Sequence, residues 1–90
     1  MQISILKEND VKEQRVASTP YSIKLLERFK AEILIEAGAG TLSGYDDELY
    51  KLANARIVNR DECLNADICL CVKIPSHQDI KNMKFIFLIS

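Results

Sequence analysis

The stretch "AEILIEAGAG", residues 31–40, decides the fold. Its centre, Ile33-Leu34-Ile35, is a continuous β-favouring apolar run closed by glycines. A strand that faces water on one side alternates apolar with polar residues. A continuous run instead marks a strand buried on both faces, and such strands belong to parallel sheets covered by helices on either side. The rest of the chain agrees. "ISILK" (3–7), "ARIV" (55–58), "ADICLCVK" (66–73) and "KFIFLIS" (84–90) read as further apolar strands, with "ADICLCVK" the longest. The expected class is α/β, a three-layer βαβαβαβαβ chain with a mainly parallel sheet. Its last strand, which such a fold normally follows with a covering helix, leaves that sheet incomplete at its C-terminus.

Between the strands lie helix signals. After the polar loop "NDVKEQ" (9–14), Thr19-Pro20 reads as a helix start: the hydroxyl accepts a free first-turn N–H, and proline at the first helical position loses no bond. That helix is expected to run through Phe29, with Ile23, Leu26 and Phe29 in one apolar stripe, Leu25 beside it, and Glu27, Arg28 and Lys30 away from it. A second helix is expected near Asp46 to Asn54, acidic in its first turn, with Leu49, Leu52 and Ala53 facing inward. "NRDECLN" (59–65) reads as a short helix with Asn59 as cap and Glu62 three residues on, and "SHQD" (76–79) as another capped turn.

Ninety residues allow one small domain, which buries roughly 60–65% of its unfolded surface. Apolar residues at 48% and charged residues at 28% place it among soluble globular chains rather than disordered ones. With a net charge of −1 and no basic run, nothing reads as a nucleic-acid footprint. No apolar run reaches the ~18–20 residues that span a bilayer, and "MQISILKEND" lacks a signal-peptide core, so a cytoplasmic location is expected. Cys63, Cys69 and Cys71 are odd in number and lack paired metal spacing, so they read as free, buried thiols, with no metal site.

Three motifs carry possible chemistry. "EAGAG" offers Gly38 and Gly40 to a G-x-G-x-x-G fingerprint, but the third position is Ser43 and Gly44 comes one residue late. The next helix also begins too far on to cradle a pyrophosphate, so the segment reads as a glycine turn and supplies no cofactor-binding residue. Arg15 follows the first strand and Lys73 ends the strand "ICLCVK". Ligands of open parallel sheets gather beyond the carboxyl ends of strands, so the two cations are candidates for one carboxylate-gripping pocket. Taken singly, each is also compatible with a surface charge or a structural ion pair. His77, in the turn after Pro75, reads as a solvent-facing helix-start residue rather than a general base.

Read together, "ILKE" (5–8), "RVASTP" (15–20), "IEAGAG" (35–40), "GYDDELYKLANARIV" (44–58) and "ADICLCVKIP" (66–75) resemble the N-terminal region shared by alanine dehydrogenases and the alpha subunit of proton-translocating NAD(P) transhydrogenase. The match spans essentially all 90 residues. It implies that residues 1–90 are the N-terminal part of the first of two α/β domains, with the Rossmann NAD(H) domain absent from them. In alanine dehydrogenases the arginine of "RVA-TP" and the lysine of "VK-P" hold the substrate carboxylate, which maps onto Arg15 and Lys73. Two departures separate the branches. A second lysine usual in alanine dehydrogenases is Cys71 here. Their catalytic histidine, near the end of the strand matching "FIFLIS", falls on Ile89, which exchanges no proton.

Transhydrogenase alpha subunits lack that histidine, and "GYDDELY" is closer to their wording; Lys73 is the opposing sign. The resemblance therefore favours the transhydrogenase alpha subunit, with alanine dehydrogenase as the alternative. It implies hydride transfer from NADH to NADP+ in the full complex and no catalytic residue, metal or cofactor held by residues 1–90. The partners implied are the remainder of the alpha subunit and the beta subunit, with homodimer contacts, a cytoplasmic place beside the inner membrane and no membrane insertion of its own. A reading of another class is a small non-catalytic carboxylate-binding module.

Overall fold

The structure is a computed structural model, and it describes residues 1–10 and 12–89. Val11 of the expected loop, Ser90 of the expected last strand and the orientation expected for Glu27 lie outside what is described. The strands are β1 (Gln2–Ile5), β2 (Glu32–Glu36), β3 (Arg56–Val58), β4 (Ile68–Cys71) and β5 (Ile86–Leu88). They form one sheet in the order β3-β2-β1-β4-β5, and every pairing is parallel. Helices α1 (Pro20–Leu26), α2 (Asp47–Leu52), α3 (Arg60–Leu64) and α4 (His77–Lys81) connect them in turn.

The sheet divides the core in two because side chains alternate along each strand. Ile3 and Ile5 of β1 and Ile33 and Ile35 of β2 pack with Ile23 of α1 and with Tyr50 and Ala53 from α2 and its end. Leu34, Val58, Cys69 and Cys71 point the other way, against Cys63 and Leu64 of α3 and Ala66 beyond it. The continuous apolar run Ile33-Leu34-Ile35 is thus explained: both of its faces meet helices. Crossovers carry the chain from β1 outward to β3 over one face, then back past β1 to β4 over the other. Ser4 would be an orphan on the second face, but its hydroxyl donates to the Cys63 carbonyl at 2.7 Å.

Local signals set the helix starts. The Thr19 hydroxyl accepts from the Ser22 N–H at 3.2 Å, Asn59 from Glu62 at 2.9 Å and Ser76 from Asp79 at 3.2 Å. Asp46, expected inside α2, is instead its cap and accepts from Leu49 at 3.1 Å.

Three expectations are corrected. The first helix does not continue as an α-helix to Phe29; it tightens into a 3₁₀ turn at Glu27–Phe29. Of the expected stripe Ile23 is buried and Leu26 half-buried, while Phe29, in the 3₁₀ turn, is exposed together with Leu25. On α2 the inward residue is Tyr50, fully buried, and not Leu52, which is 77% exposed. Residues two apart on a helix point to nearly opposite sides, so burying Tyr50 turns Leu52 out, and Leu49 also stays exposed. β2, and not the segment 66–73, is the longest strand. β4 stops at Cys71 because the next two N–H groups are taken by a side chain described below.

Candidate functional site

In a parallel sheet all carboxyl ends share one rim. The strand order reverses at β1, so the crevice between the ends of β1 and β4 is the switch point where connections leave in opposite directions. A cavity of about 450 Å³ opens there, lined by Lys7, Glu8, Asp10, Arg60, Lys73 and Ser76 among others. A smaller cleft beside it shares Lys7 and Glu8 and is completed by Glu13, Arg15 and Gly38. Arg15 and Lys73 therefore stand on the same rim, on two adjoining hollows.

Glu13 fixes the first of the two cations. Its carboxylate is buried and receives Arg15 in bidentate fashion, Nε at 2.9 Å and Nη2 at 2.8 Å, plus the Arg15 backbone N–H at 3.0 Å. Those side-chain and backbone bonds, helped by the nearby charges of Arg15 and Lys73, bring the Glu13 carboxyl down to about 2. The same hydrogen bond raises the pKa of Arg15. The guanidinium nevertheless stays 61% exposed, so its outer edge faces solvent at a fixed angle. Lys73 makes no ion pair among the described residues.

The rim is braced by residues the sequence reading did not single out. Arg60, at the start of α3, pairs with Glu36 at 2.7 Å and Asp79 at 2.8 Å and donates to the Lys7 carbonyl at 3.1 Å. Burial works against its charge, but the bonds to Asp79 and Glu36 outweigh that and raise its pKa. Glu36 also accepts the Lys7 N–H at 2.9 Å, while Glu8 accepts the N–H groups of Val72 and Lys73. Glu36 ends β2 and Glu8 stands three residues past β1, a placement that is the signal the sequence offers for them, whereas Asp79 lies within α4.

The remaining motifs do not join the site. The glycine segment is a turn: Gly38, at φ 79, donates its N–H to Asp47 at 2.9 Å, and the space a Cβ would take at Gly40 is filled by Tyr50. A pyrophosphate finds no open cradle there, because the Gly38 N–H is taken and the facing Asp47 carboxylate repels it, so these residues do not fit a dinucleotide. His77 is exposed at the first position of α4, as expected. The three cysteines are buried and free, and burial pushes the thiols of Cys63 and Cys71 up to about 12 and raises Cys69. Among the described residues no three His, Cys, Asp or Glu side chains come together as metal ligands, and no helix is long and apolar enough to cross a membrane.

A parallel sheet that reverses direction at β1, with helices on both faces and an ionic rim at the reversal, defines a Rossmann-like α/β domain. Its particular family follows from comparison. Residues 4–88 match the model described as alanine dehydrogenase/PNT, N-terminal domain, and the chain belongs to that family. It is similar to alanine dehydrogenase 1 of Staphylococcus aureus, at 30% identity over 84 residues, which is 93% of this chain and 23% of that protein. Among solved structures it is similar to transhydrogenase from Sinorhizobium meliloti, with a TM-score of 0.88 and 36% identity over 92% of this chain and 25% of the other. It is also similar to an L-alanine dehydrogenase, with a TM-score of 0.85 and 28% identity over 92% of this chain and 23% of the other. The chain thus spans about a quarter of the length of these relatives.

Proposed function

We propose that this chain is the N-terminal part of the first domain of an NAD(P) transhydrogenase alpha subunit, and that Arg15 and Lys73 line its cleft as a carboxylate grip. The observation that carries the grip is the shared rim: Arg15 is locked by Glu13, and Glu13 also feels the charge of Lys73. Supporting the transhydrogenase branch are the 36% identity to the Sinorhizobium meliloti structure, against 28% to the alanine dehydrogenase structure, and Ile89 where a proton-transferring histidine is expected. The alternative, an alanine dehydrogenase, is favoured by Lys73 and by the curated relatives.

In either case the work of these residues is to bind and orient. Arg15 offers its exposed edge to a carboxylate, and Lys73 adds a point charge on a flexible stem. No residue of the chain is placed here in hydride chemistry, and the glycine turn holds no NAD(H). The nucleotide, the remainder of the alpha subunit, the beta subunit, a second copy of the subunit and a cytoplasmic place beside the inner membrane belong to the whole protein under this proposal.

The test is a titration of the purified 90-residue chain with L-alanine and with acetate, followed by amide NMR shifts and by thermal stability. Shifts centred on residues 7–15 and 71–76, lost in both R15A and K73A, are expected. Binding that survives both substitutions would refute the grip.

A further inference from the structure

We infer that Glu8 is the positioning residue for Lys73. The inference deepens the carboxylate grip and rests on it. Glu8 stands three residues past β1 and is half-buried, with both carboxylate oxygens turned across the switch point. Its Oε2 accepts from the Val72 N–H at 3.0 Å and its Oε1 from the Lys73 N–H at 2.8 Å. These are the first two N–H groups after β4. One side chain therefore fixes two successive peptide planes, and with them the direction in which the chain leaves the strand and the point from which the Lys73 side chain enters the 450 Å³ cavity.

Glu36 shows why this is more than a general strap. It also binds a strand-end N–H, that of Lys7, but its charge is committed to an ion pair with Arg60. Glu8 makes no ion pair among the described residues. It stands near both candidate cations, lines both hollows and bonds neither side chain. Its carboxylate is spent on the backbone that carries Lys73.

The test combines E8A and E8Q with K73A. Gln presents one acceptor and one donor, so one of the two N–H groups loses its partner. In E8Q the amide protons of Val72 and Lys73 are expected to move upfield and to exchange faster. In titrations with L-alanine, E8A is expected to weaken binding about fivefold or more, with E8Q between it and the unsubstituted chain. E8A/K73A is expected to bind no more weakly than K73A alone, because Glu8 acts through that lysine. Additive losses in the double variant, or unmoved Val72 and Lys73 amides in E8Q, would overturn the positioning role. So would loss of binding in K73A with unchanged binding in E8A, and this would leave the grip standing. Unchanged binding in K73A overturns the grip itself.

Discussion

Replacing Gly40 by alanine isolates one packing contact. A Cβ built on Gly40 lies 2.6 Å from both Cε2 and the hydroxyl oxygen of Tyr50 and 2.8 Å from the Tyr45 carbonyl oxygen. Carbon atoms rest at about 3.5–4.0 Å, so the ring must retreat by about 1 Å. It has nowhere to go: Tyr50 is fully buried, and its hydroxyl donates to the Ser18 carbonyl at 2.9 Å. Backbone strain does not contribute, because Gly40 sits at φ −96, ψ 0, which alanine also adopts. Overpacking costs about 1–3 kcal/mol, and a broken buried hydrogen bond about 1–3 kcal/mol more. The stiffer unfolded chain returns at most about 1 kcal/mol. The net loss is about 1–6 kcal/mol, from a total of roughly 5–13 kcal/mol for a domain of this length. Urea unfolding followed by circular dichroism should show a lower midpoint at unchanged slope. Gly44, at φ 89 with open space around it, is the control: its alanine variant meets backbone strain alone, about 1 kcal/mol. If G40A costs no more than G44A, the reasoning about Tyr50 is wrong.

The other predictions concern protons and thiols. Glu13 has its carboxyl lowered from 4.5 to about 2, so the stability it contributes is complete above about pH 4.5 and is lost as the pH falls toward about 2. E13Q and R15A should both flatten that limb of the stability curve, and curves that coincide with that of the unsubstituted chain would show that the pair carries no linkage. Cys63 and Cys71 are raised from 9.0 to about 12, so their contribution is complete below about pH 9 and is lost as the pH climbs through about 12. At pH 8 the native chain should resist a thiol reagent such as DTNB and should expose all three cysteines only in denaturant; rapid labelling of the native chain would contradict their burial.

What the sequence revealed depended on the range of the forces involved. Ile33-Leu34-Ile35 announced a doubly buried strand because both faces had to be apolar. Thr19, Asn59 and Ser76 were readable as caps because each hydroxyl or amide bonds an N–H three residues away. Arg15 and Lys73 fell on one rim because parallel strands put all their carboxyl ends together. Tyr50 was missed because its burial depends on Ser18, 32 residues away, and on the absence of a Cβ at Gly40, whose space the ring fills. The braces of the rim were missed for the same reason: Arg60 reaches Glu36 across 24 residues and Glu8 reaches Lys73 across 65. No local pattern says on which side of β1 the fourth strand settles. Leu25, Phe29 and Leu52 misled because an apolar residue at helical spacing reads the same whether or not a partner covers that side of the helix.

The reversal of strand order at β1 has a consequence for how the polypeptide is made. β1 leaves the ribosome before the other four strands of its sheet, yet it ends at the middle of that sheet. One of its neighbours, β2, follows soon; the other begins only at Ile68. At ~5–20 residues per second, synthesis of that interval takes roughly 3–13 s. Throughout it the nascent β1 offers an unsatisfied hydrogen-bonding edge, and a pause in translation before Ile68 prolongs the period in which neighbouring nascent chains can capture it.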